Sequence, residues 1–425
     1  MQSKCSRRSD STGRCGAASS IMIQTGGHQT ARSRVRKMAG RDSIERELED
    51  LEEAALEGAV ELLEEPLRAV ERFEVNAWAD LRAFTLWGER ALIAGRVTLG
   101  IIAAMLLAHW LGLEMPVWAA ISVLRVFQND KNATLQRGLE RIAGTVAGGV
   151  IAYAIMLDGK NAPLVYLATG LACALAVYAQ AVSRYSYAFI LMGFTVPLMT
   201  YHTMVSDEPV LRTILMRGAE VCLGVAIATA VDILTSKRQA AKKPPKPLFG
   251  PVDPAFIGHA LTVGIAVTLV PIVWTLFSLP GFDQTPITAF IVVSAAREGI
   301  GWKSLNRTIG CAIGAALGLL GVALLGDAGF WPWLAFLAFG LFVFTQVCHG
   351  GSVIAYTGVQ AGIAFLLIVV QEPIPHLDPA EGIARMWGIA GGIILVMLVG
   401  LATWPVRTRI THAVEDHRLA HEKAV

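Results

Sequence analysis

Residues Pro116 to Val150 read PVWAAISVLRVFQNDKNATLQRGLERIAGTVAGGV. An apolar run opens at Pro116 and meets Arg125, a basic turn follows, and Arg141, Gly144 and Gly148 then fall at helical spacing at the start of a longer apolar segment. The run from 115 to 128 is short for a bilayer crossing, because roughly 30 Å of hydrocarbon takes about 20 helical residues. The second half repeats the plan: Pro286 opens PITAFIVVSAAREGIGWKSLNRTIGCAIG, with Arg297 after the run and Arg307, Gly310 and Gly314 beyond the turn. The order extends outward in both directions. Thr98, Gly100, Ile101 and Trp110 recur as Thr262, Gly264, Ile265 and Trp274; Tyr187 and Gly193 as Tyr356 and Gly362; Arg217 and Gly224 as Arg385 and Gly392.

The repeat implies two halves of six apolar segments each. They run 91 to 112, 115 to 128, 136 to 157, 163 to 182, 185 to 205 and 212 to 234, then 255 to 278, 285 to 296, 305 to 326, 331 to 348, 353 to 371 and 384 to 405. The composition, 54% hydrophobic and 16% charged over 425 residues, places the chain outside soluble domains. The expected fold is all-α, a membrane bundle of about twelve spans. With an even number per half, both halves enter from the same side, giving a parallel repeat about an axis along the membrane normal, with a solute cleft expected between the copies. Threading the N-terminus inside puts fifteen Lys or Arg near the cytoplasmic face, among them Arg125, Arg141, Arg297 and Arg307, and four near the opposite face: Lys160, Arg212, Arg217 and Arg385. That asymmetry predicts both termini cytoplasmic in a multi-pass bacterial inner-membrane protein.

Around this core lie residues 1–40, basic with eight Lys or Arg against one Asp and expected to be disordered, with Met38 an alternative start. Residues 41–88 follow; the stretch 41–75 carries thirteen acids, four arginines and apolar residues spaced mostly by three and four, an amphipathic helix with Pro66 as a kink. That helix reads either as an oligomerisation or regulatory element or as a solvated face packed on the membrane domain. The membrane repeats are expected at 89–234 and 255–406, joined by a Lys- and Pro-rich linker at 235–254, with a tail at 407–425. Six cysteines without a CxxC pair imply no disulfide framework, and Cys173, Cys222 and Cys311, inside apolar spans, read as small buried hydrophobes. Phosphate-loop, HExxH, Cys/His and GxSxG patterns do not occur, so no catalytic residue, cofactor or metal ligand is expected. The net charge of +2 and the lack of an aromatic-interleaved basic patch argue against nucleic acid.

The charges beside the spans carry the functional reading. Arg125, Arg141, Arg297 and Arg307 offer forked donors to a carboxylate solute at the inner mouth, or equally contact lipid phosphates. Arg217 and Arg385 stand at the outer ends of matching spans, where they would receive the anion. Glu220, one turn from Arg217, either neutralises it or belongs with Asp232, His259 and Arg96 to a proton-coupled path. Each short span either stops within the bundle beside a water cavity or extends a further turn by arginine snorkelling.

The stretch from Pro116 through Arg141-Ile142-Ala143-Gly144-Thr145-Val146-Ala147-Gly148 resembles the fusaric acid resistance proteins, or aromatic acid exporters, and Arg307-Thr308-Ile309-Gly310 is a weaker second copy. The similarity spans approximately 85 to 406. It implies efflux of hydrophobic carboxylic acids. Members similar to bacterial acid pumps often carry a large soluble domain between the halves, where this chain has a short linker. The expected function is export of small organic, aromatic carboxylic anions by a secondary transporter embedded in the lipid bilayer, compatible with a homo-oligomer or a periplasmic efflux partner. The alternatives are a passive anion channel and a non-transporting scaffold or envelope-assembly protein.

Overall fold

The computed structural model of the protein describes residue 68 and residues 70–424, apart from 158, 207, 236–247, 251–254, 283, 294–299, 326–328 and 372–378. These residues belong to the compact unit Ala54–Val425. The basic N-terminus, the start of the acidic helix with Pro66, most of the linker, and Arg297 lie outside the described residues. A helix at 70–82 (α1) is followed by six in the first half: α2 (Glu89–Trp110), α3 (Val117–Val126), α4 (Lys131–Met156), α5 (Ala162–Val182), α6 (Ser186–Val205) and α7 (Val210–Thr235). Six more form the second half: α8 (Ala255–Phe277), α9 (Gln284–Val293), α10 (Ile300–Leu325), α11 (Phe330–Cys348), α12 (Ala355–Val369) and α13 (Pro379–Ala424).

The helices fall where the apolar segments predict them, but their lengths differ. Among the described residues, nine are long and apolar enough to cross a membrane. The short helices α3 and α9 have 10 residues each, about 15 Å at the helical rise. Local chemistry ends α3 early. Phe127 turns extended at ψ 127°, Asn129 adopts a positive φ of 53°, and the Asp130 side chain caps α4 by accepting from the Asn132 and Ala133 N–H groups. Nearly every residue of α3, Val117 to Leu124 and Val126, is buried. It is therefore a half-length helix packed inside the bundle, and the snorkelling alternative does not hold for it.

The two halves repeat each other's packing. α4 packs on α6 as α10 does on α12, and α3 on α7 as α9 does on α13; across the halves, α5 meets α8 as α11 meets α2, and α6 meets α9 as α12 meets α3. The repeated glycines explain the closest of these approaches. A Cβ on Gly144 would strike the Ala188 carbonyl oxygen and lie 2.7 Å from Leu191 Cβ, and one on Gly310 would lie 2.6 Å from the Thr357 oxygen and 2.8 Å from Gln360 Cβ. Small residues let helices approach where lipid gives no hydrophobic drive.

Two hydrophobic cores result, and each mixes the halves. One joins α2, α3 and α7 to α11 and α12 through Ile101, Met105, Leu124, Trp333, Leu337 and Phe365; the other joins α8, α9 and α13 to α5, with Tyr201 of α6, through Val177, Val267, Trp274 and Phe290. Outward, Leu164, Leu167, Leu171 and Leu175 of α5 stand 45 to 63% exposed on one helical face, a stripe suited to lipid rather than water. The α1 helix packs on both halves. Phe73 meets Trp302 at 6.5 Å between ring centroids, and Asp80 binds Arg90 at 3.1 Å and also Ser352. Residues 70–75, the described end of the acidic helix, thus lie against the membrane domain through Phe73.

Candidate functional site

One end of the bundle is marked by the residues flanking the linker. Arg184 N donates to Leu248 O at 3.1 Å and Gly250 N to Val182 O at 2.7 Å, so the chain entering α8 lies on the α5–α6 turn. A cavity of about 140 Å³, several times the space one water needs, begins at Tyr187, just beyond that turn. Both halves line it. Trp118, Ile121 and Arg125 come from α3, Arg141 from α4 and Tyr187 to Phe194 from α6, while Ile287 and Ile291 come from α9, Lys303 and Arg307 from α10, and Tyr356 to Leu367 from α12. At 1.5 Å per residue, Tyr187 to Phe194 corresponds to roughly 10 Å of depth and Tyr356 to Leu367 to roughly 16 Å.

The repeat-matched arginines stand at the polar end of this cavity. Arg141, 4% exposed, donates from Nε to Ser122 Oγ at 3.0 Å and from Nη1 to the Tyr187 hydroxyl at 3.1 Å. Arg307, 6% exposed, donates from Nη1 to Gln360 Oε1 at 2.7 Å and from Nη2 to Thr288 Oγ1 at 3.0 Å. These partners fix both guanidinium planes without cancelling their charge. Each site has a second cation stacked on its tyrosine: Arg137 lies 4.5 Å from the Tyr187 ring centroid and Lys303 5.3 Å from that of Tyr356. Beyond the polar end the lining turns apolar, with Ile121, Ile190, Leu191, Phe194, Ile287, Ile291, Ile363 and Leu367. A carboxylate at one end of a flat apolar body matches that distribution.

The remaining charged candidates occupy other positions. Arg125 is half-buried and lines the same cavity. Arg217 lies behind Trp118, its guanidinium 4.1 Å from the ring centroid, and pairs with Glu220 at 3.2 Å. Glu220 also accepts from Met115 N–H at 2.7 Å, which ties the start of α3 to α7. Arg385, half-buried in α13, is not among the residues lining the cavity. The four groups considered for a proton path are dispersed. Asp232, twelve residues along α7 from Glu220, accepts from Thr134, and His259 lies beside Arg407 at 3.4 Å. Among the described residues no group of His, Cys, Asp or Glu is arranged to hold a metal.

Of the arginines that stand out in the sequence, Arg125, Arg141 and Arg307 line the cavity and Arg217 and Arg385 do not, while the other residues that shape it carry weaker signals. Tyr187 and Tyr356 were visible only as a repeat match, although a tyrosine at the same place in both halves, one turn before a glycine-packed face, was the available signal. Trp118, Phe194 and Gln360 carry no local mark, since their role follows from which helices meet.

Comparison with known proteins bears on the same segments. Residues 90–244 match the model of the Fusaric acid resistance protein family, and residues 264–399 that of Fusaric acid resistance protein-like sequences. The chain is similar to proteins described as p-hydroxybenzoic acid efflux pump subunit AaeB. The one from Edwardsiella ictaluri is 29% identical over 164 residues, 35% of this chain and 25% of the relative, and the one from Musicola paradisiaca is 26% identical over 163 residues with the same coverage. The matched stretch thus spans about a quarter of the curated relatives' length. No solved structure matches the chain.

Proposed function

The chain belongs to the fusaric acid resistance protein family, and from that premise we propose that it is a secondary transporter exporting small aromatic carboxylates across the bacterial inner membrane. The observation that carries this reading is the cavity between the halves, with Arg141 and Arg307 fixed at one end by neutral hydrogen bonds and an apolar lining beyond. In this reading the linker end is the cytoplasmic mouth, with both termini on that side. A carboxylate leaving the cytoplasm meets Arg125 and Lys303 at the mouth and is held between the two buried guanidinium groups. Its ring lies among the isoleucines, Phe194 and Trp118. The work is binding and passage rather than bond chemistry. The relatives' description as pump subunits supports a further protein that carries the solute onward.

The test is accumulation of a labelled aromatic acid in inverted vesicles, with and without a proton gradient, at matched expression. Arg141→Gln together with Arg307→Gln removes two charge-assisted contacts, each worth about 1.5 to 3 kcal/mol, so transport falls by roughly a hundredfold or more. Lys242→Gln with Lys243→Gln in the linker leaves it nearly unchanged. Equal losses from both pairs reduce the arginines to markers of topology. Uphill accumulation separates a transporter from a passive channel, and retention of transport after deletion of residues 41–67 separates it from a scaffold worked by its acidic helix.

A further inference from the structure

An open groove of about 980 Å³ runs between α4 and α6 and shares no lining residue with the cavity. Small residues, Ala143, Gly144, Ala147 and Ala188, make its floor, and Leu139, Phe189 and Met192 give it apolar walls. The helices touch beneath that floor, where a Cβ on Gly144 would strike the Ala188 carbonyl oxygen. The groove follows α6 from Tyr185 to Met192 for about 10 Å and α4 from Leu135 to Ala147 for about 18 Å. One leaflet's hydrocarbon is roughly 15 Å deep.

The polar end of the groove is the linker end. Arg184 is exposed there, its guanidinium 4.5 Å from the Tyr185 ring centroid and donating to the Tyr185 hydroxyl. Glu140, the acid in the lining, accepts from Gln136 Nε2 at 2.9 Å. Leu248 and Phe249, held on the α5–α6 turn by the backbone bonds of Arg184 and Gly250, are 50 and 61% exposed. The linker around them, residues 236–254, carries five Lys or Arg against Asp253. Exposed apolar side chains next to cations, at one end of a membrane bundle, belong at the headgroup boundary. The leucine stripe of α5 differs, since that helix carries no charge from Ala162 to Val182.

A channel one leaflet deep, apolar along its length and cationic at its mouth, is complementary to an acyl chain beneath an anionic headgroup. We propose that the α4–α6 groove is a binding site for an anionic phospholipid, with its phosphate at Arg184 and an acyl chain laid over Gly144. The site is independent of which solute the cavity takes. Because α4 carries Arg141 and α6 its partner Tyr187, the bound lipid braces the two helices that hold one of the cavity's arginines.

The experiment follows the thermal midpoint of the full chain, purified in a neutral detergent, as phosphatidylglycerol, phosphatidylcholine with the same acyl chains, or inorganic phosphate is titrated in. Phosphatidylglycerol raises the midpoint saturably, while phosphatidylcholine and phosphate leave it nearly unchanged. Arg184→Gln raises the phosphatidylglycerol concentration giving half the shift by roughly fivefold, the factor for one cation at a membrane surface. Ala143→Phe fills the groove from an exposed position and removes the shift. Arg409→Gln, which neutralises an exposed cation of α13 outside the groove, changes nothing. No shift with phosphatidylglycerol, equal shifts from both lipids, or a shift reproduced by phosphate overturns the site. Equal weakening by Arg184→Gln and Arg409→Gln, or a full shift in Ala143→Phe, does the same. A lipid-free dimer in light scattering that Ala143→Phe dissolves also overturns it, because the groove then holds a second copy of the chain.

Discussion

Arg217 and Glu220 can be separated from the transport path by a double-mutant cycle. The pair is buried, with side chains 10% and 1% exposed and a 3.2 Å contact. Glu220→Gln keeps an acceptor for the Met115 N–H but leaves the Arg217 charge without its counter-ion, and breaking a buried pair from one side costs about 3 to 5 kcal/mol. Arg217→Met strands the Glu220 carboxylate in the same way and also removes the cation stacked on Trp118. The double variant strands no charge. What it loses beyond packing is the stacking on Trp118, up to about 2 kcal/mol, so its destabilisation falls short of the summed single losses, about 6 to 10 kcal/mol, by about 4 kcal/mol or more. Unfolding titrations of the purified protein in mixed detergent micelles measure each corner of the cycle. Losses that add to within about 0.5 kcal/mol refute the claim that these residues stabilise one another. A transport assay on the same variants gives the second readout. If Glu220 carries a proton, Glu220→Gln abolishes the response to a pH gradient, and restoring stability with Arg217→Met does not bring it back.

Two further outcomes follow from the packing. Gly144→Val and Gly310→Val drive side chains into the neighbouring backbone and each destabilise by about 1 to 3 kcal/mol or more, whereas Gly95→Ala and Gly218→Ala, where an added Cβ meets nothing within 4 Å, are neutral or stabilise by roughly 0.4 to 1 kcal/mol; thermal denaturation in detergent checks the sign at all four. Asp80→Ala removes the acceptor shared by Arg90 and Ser352, loosening α1 by about 1 to 3 kcal/mol, so limited proteolysis should cut near residues 70–82 faster than in the unaltered chain.

The legible part of this fold is the part written in local periodicity. Apolar runs locate the twelve membrane-domain helices found among the described residues, and the matched positions of Arg141 with Arg307 and Gly144 with Gly310 reveal the repeat. The glycines could be assigned to packing because a small residue three or seven places from an arginine has few other uses in an apolar helix. Helix length was less legible. The turn at Phe127 to Asp130 that ends α3 depends on an Asp cap and a positive-φ Asn, which an apolar-run count passes over. Partner identity was not legible at all. Nothing in the sequence around Trp118 says that Arg217, 99 residues later, covers one face of its indole while Phe194 stands against it at 6.0 Å. Such contacts arise from helix crossings that no single segment encodes.

The crossings also decide which bodies can move. A duplicated transporter suggests two halves rocking about the linker, but here the cores are not divided that way. The first joins α2, α3 and α7 to α11 and α12, and the second joins α8, α9 and α13 to α5 and Tyr201. Parting the halves would tear both cores and expose residues such as Leu337, Phe365 and Val267, all fully buried. The cavity lies instead along the boundary between the cores, with α3 and α12 on one wall and α6 and α9 on the other. Opening it by moving one core against the other parts the seam where Leu198 and Met199 of α6 and Ile287 of α9 join the first core, but keeps α2 with α11 and α5 with α8. A cross-link can decide between these motions. Thr98 in α2 and Thr345 in α11 belong to different halves but the same side of that boundary, with hydroxyl oxygens 3.4 Å apart. Thr98→Cys with Thr345→Cys brings the two sulfurs close enough for a disulfide. If the cores are the moving bodies, the oxidised double variant transports as fast as its reduced form, with the oxidised unaltered chain as control. If the halves rock apart instead, oxidation stops transport and a reductant restores it.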